Sequence, residues 1–277
     1  MTRTRVTQVL VLCLLASATT LHAQPPTAPQ ARAFVHSLLV PSPYRIGDGA
    51  LSGEIRYRVT FSDGIVREIP STGEQTARGI EGAVEVSVCR DCRGDFAMPE
   101  QAPSLSELTA NAWVDSDNRQ IVAFARRHAG RGDADRRMTR LADAVRRHMD
   151  GPIDFSAYQS ASAALQARGG DCTEFALLLA ATGRAAGIPT RVVHGLAYAS
   201  RFTGQPHVFG PHSWVQAWDG ERWRSYDAGL GRFDAGHIAL RVGGGTPQEL
   251  AGLADDIRRL RIVAAAGIRA STAIDDD

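Results

Sequence analysis

The sequence predicts an α+β fold in which a cysteine-bearing helix packs on an antiparallel sheet, with a small β-rich region ahead of it. Three observations carry this. Gly169-Gly170-Asp171-Cys172 leads into an apolar run of helical period. Residues 190–198 and 212–218 read as strands, and Asp219-Gly220 turns the second into a return strand at 222–226. Residues 54–61 and 83–88 alternate polar and apolar side chains with period two.

The N-terminus comes first. Arg3 and Arg5 precede an uncharged apolar run, and Leu21-His22-Ala23 is followed by Gln24-Pro25-Pro26. That is the pattern of a secretory signal over 1–23, with an apolar run too short for a stable membrane span. The expected setting is therefore periplasmic or secreted, and oxidising. Residues 24–32 are then expected to form a flexible leader, 33–96 the β-rich region, 97–110 a linker, 111–270 the domain that carries the cysteine-bearing helix and 271–277 a tail. All 31 basic residues among the 277 are arginines, so no lysine amine is offered as a nucleophile. The formal net charge of +1 creates no global field for nucleic acid or a membrane surface.

In the β-rich region, Ser62-Asp63-Gly64 marks a hairpin turn, with 65–69 as the return strand. Cys89-Arg90-Asp91-Cys92 follows the strand at 83–88. Turn residues come next and no second ligand pair is visible, so a local Cys89–Cys92 disulfide is favoured over redox or zinc chemistry. Helices are expected from Asp117, with Ile121, Phe124 and Ala125 on one face, and over 136–149, where Leu141, Val145 and Met149 repeat the spacing. A short helix at 160–167 ends at Gly169-Gly170.

Asp171 and Glu174 have the spacing of a capping box, which places Cys172 in the first turn of the next helix. Phe175, Leu178, Leu179 and Thr182 give that helix one buried face, and Gly187 and Pro189 end it. The free N–H groups and macrodipole of the first turn favour a thiolate at Cys172. Its own N–H can face a developing oxyanion. With Cys89 and Cys92 satisfying each other, Cys172 is the odd thiol of an exported chain, and nucleophilic use explains it. Residues 199–211 read as a loop. His212 and Asp227 both fall at the open end of the hairpin closed at Asp219-Gly220, where a carboxylate can hold an imidazole. The last stretches read as a loop at 243–245, a helix start at 246–250, and a final strand at 260–266.

These residues resemble the transglutaminase-like superfamily. The likeness rests on Gly169-Gly170-Asp171-Cys172, on 184–193, on His212-Ser213-Trp214-Val215 and on Trp223-Arg224-Ser225-Tyr226-Asp227. It covers about 110–245. It implies a papain-like α+β core and a triad with Cys172 as nucleophile, His212 as general base then acid, and Asp227 orienting His212. The implied chemistry is acyl transfer from an amide of a peptide or protein through an acyl-enzyme. The additional β domains and calcium sites of the animal enzymes have no counterpart, and the compact bacterial members are the better likeness.

Hydrolysis is the favoured outcome, because a transferase must exclude water. The alternatives are amine transfer to protein glutamine and a non-catalytic binding module on the same fold. Tyr158, Gln159 and Trp214 are the candidates for an oxyanion or substrate contact. His194 reads as a satisfied strand histidine, and His207 as a loop residue with possible substrate contact. Neither a cofactor nor a metal is expected, since Cys172 and His212 lack a third and fourth ligand in the sequence. The oligomeric state is open.

Overall fold

The computed structural model describes residues 27–90, 101–156 and 158–268. The expected signal, the start of the leader, Cys92 and the tail from 271 lie outside them. No helix of the described residues is long and apolar enough to cross a membrane.

The chain opens with α1 (Ala28–His36), β1 (Val40–Pro41), α2 (Asp48–Leu51), β2 (Glu54–Phe61), β3 (Gln75–Ile80) and β4 (Ala83–Cys89). Four helices follow: α3 (Arg119–His128), α4 (Ala134–His148), α5 (Ala161–Ala167) and α6 (Cys172–Ala185). Then come β5 (Thr190–Phe202), β6 (Gln205–Trp218), β7 (Trp223–Tyr226), β8 (His237–Gly243), α7 (Leu253–Arg259) and β9 (Leu260–Ala266).

The predicted α+β class holds, as three layers. A central antiparallel sheet runs β1-β6-β5-β8, with β7 on the other part of the β6 edge. Helices α3 to α6 cover one face and a second antiparallel sheet, β3-β4-β2-β9, covers the other. Period-two alternation splits the central strands between two cores. Val192 and Val215 join the helix-side cluster, whereas Val193 and Trp214 join the cluster with Ile55, Tyr57 and Val86. Strands buried on both faces read as apolar on both alternations, as Val192-Val193 and Leu196-Ala197 do.

Several local expectations change. The described part of the expected flexible leader and the first residues of the expected β-rich region form a helix, and strand begins only at Val40. Ala28–His36 is helical, with Gln30 Oε1 accepting from the Thr27 N–H at 2.9 Å and Pro29 in the first turn, where no N–H is needed. The turn at Gly64 forms, its N–H bonding Phe61 O at 2.9 Å, but 65–69 makes no return strand. Both edges of β2 are already filled, one by β4 and the other by β9 from the far end of the chain. The predicted strand at 260–266 is thus correct, yet it completes the N-terminal sheet instead of staying with the expected catalytic domain.

The predicted loop at 199–211 is a long ribbon, with β5 and β6 paired from Thr190↔Ala217 to Phe202↔Gln205. Thr203 and Gly204 close it in the positive-φ conformation of a tight hairpin turn. The prolines fit because the other edge of β6 pairs with β1 only at 208–209 and with β7 only from Val215. Pro211 and His212 sit in the gap. The return at Asp219-Gly220 is a four-residue loop, since Trp218 pairs with Trp223. Cys89 is disulfide-bonded.

Candidate active site

Helix α6 brings Cys172 to the site. Asp171 caps it as expected, its Oδ1 accepting from the Thr173 N–H at 2.7 Å while Glu174 Oε2 accepts from the Asp171 N–H at 2.9 Å. Gly170 adopts φ +139°, and a Cβ there would lie 2.7 Å from the Glu174 side chain, so only glycine lets the cap close. Leu177 through Thr182 are all buried, so α6 is enclosed on every side, not on one face as its sequence suggests. It packs on α3, α4, α5 and β6. The Cys172 end is therefore anchored by the whole helix layer.

His212 and Asp227 meet as the hairpin argument requires. Val215 pairs with Tyr226, so Asp227 lies one step past the last pair, diagonal to His212. The His212 Nε2–H donates to Asp227 Oδ2 at 2.7 Å, with both side chains nearly enclosed. Cys172 and His212 line the same cavity and are close enough for each to shift the other's titration. Since Nε2 serves Asp227, Nδ1 is left for the thiol. The Leu230 N–H donates to Asp227 Oδ1 at 3.0 Å.

Electrostatics divide these groups. Burial opposes a charged His212, but Asp227 outweighs it and the pKa rises to about 9. Burial likewise opposes the Asp227 carboxylate, and His212 and His237 more than compensate, holding it well below the usual range. For Cys172 the outcome reverses the sequence expectation. Burial pushes the thiol up and Asp171 adds to this, while His212 draws it down by less. The helix N-terminus favours a thiolate, but withdrawal from water and the neighbouring carboxylate win. Asp171→Asn keeps a capping oxygen and removes the charge, so the thiol pKa falls. Iodoacetamide alkylation of Cys172 at neutral pH is expected to speed up roughly three- to tenfold, read by intact mass against time. An unchanged rate would remove Asp171 from the electrostatics of the thiol.

Glu174 is fully buried, and burial with the Asp171 charge raises it to about 7. Its Oε1 also accepts from the Gln159 N–H at 2.9 Å, so it ties the 158–160 segment to the helix start.

A cavity of about 540 Å³ opens on Cys172 and His212. Tyr158 lines it, with a buried hydroxyl that has no hydrogen-bond partner among the described residues. Burial raises the Tyr158 pKa, so this hydroxyl keeps its proton. Gln159 and Trp214 do not line the cavity. Trp214 is 2% exposed and stacks against His212 at 6.1 Å between ring centroids, so it packs behind the imidazole and cannot form a substrate wall. His194 does line the cavity; its Nδ1 pairs with Ser213 Oγ at 2.8 Å, and its buried Nε2 has no hydrogen-bond partner among the described residues, with Glu249 Oε2 3.9 Å away. Burial lowers its pKa to about 4, so it is neutral. His207 pairs with the Tyr198 hydroxyl at 2.8 Å, away from the cavity.

One residue of this cluster escapes sequence reasoning. His237, at the start of β8, places Nε2 3.1 Å from Asp227 Oδ2 and Nδ1 3.1 Å from Asp234 Oδ1. Its local signals are an Asp-x-x-His spacing and the short apolar run at 238–240 that follows it. Among the described residues, His212, Asp227 and His237 form the one His/Cys/Asp/Glu group tight enough for a metal ion, their polar atoms lying within 4.8 Å of one another. Contacts of 2.7 and 3.1 Å about one carboxylate oxygen have the lengths of proton-bridged hydrogen bonds, and the trio is read as such.

Comparison with known proteins bears out the resemblance over the central part of the chain. Residues 122–228 match the sequence profile of the transglutaminase-like superfamily, and all of the cluster except His237 and Asp234 falls inside that span. A candidate cysteine protease from Cytophaga hutchinsonii is 16% identical, with 82% of this chain and 84% of that chain covered and a TM-score of 0.45. The periplasmic domain of TgpA from Pseudomonas aeruginosa is 18% identical, with coverage of 69% and 76% and a TM-score of 0.40. Red sea bream transglutaminase is 11% identical, with coverage of 65% and 47% and a TM-score of 0.33. None of the curated proteins compared is a match.

Proposed function

We propose that this chain is an exported thiol enzyme that hydrolyses amide bonds of peptides or proteins through an acyl-enzyme. The observation that carries the reading is the placement of His212. One ring nitrogen is gripped by Asp227, the other is left to Cys172, and both face a cavity of about 540 Å³. In this reading the Cys172 sulfur attacks the amide carbon as a thiolate beside the His212 imidazolium. The S–C bond forms and the carbonyl electrons move to oxygen. The Cys172 N–H, at the first position of α6 and without an intrahelical acceptor, and the Tyr158 hydroxyl are the donors assigned to that oxygen. Collapse breaks the C–N bond, and the leaving amine takes the His212 proton. Water then adds to the thioester, giving its proton to His212, and the acid departs as the thiolate returns.

The cavity supports a choice of substrate. Phe34, Leu38, Phe155, Phe202, Leu253 and Ile257 line it, and no arginine among the described residues does. Asp171 is the one carboxylate among its lining residues. An apolar, uncharged side chain on the acyl side fits such a wall, and an acidic one meets no cation there besides His212, which is already paired with Asp227. Export is supported by the charged and apolar N-terminal pattern and by the disulfide at Cys89.

A panel of peptide amides with apolar, acidic or basic side chains at the acyl position, with and without an added primary amine, tests this. Free acid is the expected product, and apolar peptides should exceed acidic ones in kcat/KM by roughly tenfold or more. A dominant amine adduct would make the chain a transferase. Preference for acidic peptides would overturn the assigned substrate class.

A further inference from the structure

We propose that His237 is a positioning residue of this site: fixed by Asp234, it holds the Asp227 carboxylate in the orientation from which Asp227 grips His212. The inference rests on the thiol-enzyme reading above and adds residues that lie outside the family match.

The geometry is a chain of alternating charge types. Asp234 Oδ1 and the Asp234 carbonyl lie 3.1 and 3.2 Å from His237 Nδ1, and Asp227 Oδ2 lies 3.1 Å from its Nε2. The Asp234 N–H is also near Nδ1, but at 3.3 Å. Oxygen acceptors at both nitrogens favour a doubly protonated ring. The same Oδ2 accepts from His212, so one oxygen serves two imidazoles. With Leu230 N–H on Oδ1, the carboxylate is held on three sides. His237 is 2% exposed and its ring is packed by Trp214 and Phe233. A buried histidine with acceptors on both sides and a neighbouring imidazole 5.6 Å away is costly to assemble for packing alone.

The charged and titratable groups around it are few. Asp227 and Asp234 come from the loop between β7 and β8, and His212 from β6. Arg232 Nε lies 3.8 Å from Asp234 Oδ2. Tyr57, from the second sheet, bonds the Ala235 carbonyl at 2.8 Å and feels the Asp234 charge. Burial opposes a charged His237, but Asp227 and Asp234 raise it to about 9, so two cations share Asp227 near neutral pH.

The consequence is a looser hold on the His212 proton. A second cation on Asp227 repels the first and occupies part of the oxygen that stabilises it. His212 can then pass its proton to the leaving amine more readily than it would beside an unshared carboxylate.

His237→Gln keeps an N–H near Nε2 and removes the charge. Asp234→Asn removes the anchor of Nδ1 and leaves His237 in place. With ¹³C-labelled histidine, the His212 Cε1 resonance reports its titration independently of turnover. His237→Gln is expected to raise the His212 pKa by about one unit, and both variants are expected to lower kcat roughly tenfold with KM little changed. His237→Leu, which also removes the donor, should lose more kcat than His237→Gln. An unmoved His212 titration in folded His237→Gln protein, or an unchanged kcat in folded Asp234→Asn protein, would reduce His237 to core packing. Equal loss in His237→Gln and His237→Leu would also overturn the positioning role, since the donor would then be idle. Failure of the thiol-enzyme reading shows separately, as turnover that survives loss of Cys172 while the His212 titration still responds.

Discussion

Cys172→Ala is expected to abolish peptide-amide hydrolysis, with a loss of roughly 10⁴-fold or more. The reason is chemical, not structural. Alanine is the best helix former, the Asp171 and Glu174 cap does not use the thiol, and the enclosed stretch Leu177 to Thr182 lies beyond the first turn. The variant should therefore fold with an unchanged melting temperature to within a few degrees. Two measurements check it: turnover of an apolar peptide amide, and incorporation of iodoacetamide by intact mass. In the parent protein, label should enter Cys172, which is the free cysteine among the described residues. Alkylation should accelerate with rising pH, because burial and Asp171 hold the thiol up. A variant that retains turnover would sink the assignment of Cys172 as nucleophile.

Asp227→Ala should damage both activity and stability. Activity is expected to fall by about 10³- to 10⁴-fold, because His212 loses the group that sets its tautomer and direction. Stability is expected to fall by about 3–5 kcal/mol, because two buried imidazoles lose the carboxylate between them. The pH dependence carries the sign. His212 and His237 are raised to about 9 from an ordinary 6.5, so each contributes stability that is full below about 6.5 and lost as pH rises through 9. Asp227 is depressed, so its contribution is present above its unfolded pKa and lost as pH falls toward its folded one. The parent melting temperature should therefore decline between about pH 6.5 and 9. In Asp227→Ala that alkaline decline should be much reduced. Thermal unfolding across this range, followed by circular dichroism, decides it. A variant with the parent's alkaline slope would show that Asp227 does not hold the two histidines charged.

Much of the candidate site is visible in local pattern. A capping box announces itself by Asp171 and Glu174 three positions apart, so the place of Cys172 at a helix start needs no tertiary information. The hairpin at 212–227 is likewise local, because period-two strands and a turn bring His212 and Asp227 to one end. The disulfide state of Cys89 follows from spacing and leaves Cys172 as the odd thiol. The errors share one cause. The strand expected at 65–69 fails because β9 already fills the edge of β2. The loop expected at 199–211 fails because Gly204, Pro206, Gly210 and Pro211 stand at a turn or at an edge of β6 that no strand occupies.

The chain's local order thus determined three things: the α+β class, the helix that presents Cys172, and the hairpin that joins His212 to Asp227. Each depends on residues a few positions apart, through hydrogen bonds and periodicity that act along the chain. Packing between distant segments alone decided the rest. It set β9 beside β2, enclosed α6 on all sides, removed Trp214 from the substrate wall and put His237 on the far side of Asp227. It also decided the direction of the Cys172 pKa. A helix N-terminus stabilises a thiolate locally, but burial is a sum over every element that shuts out water, and that sum is the larger.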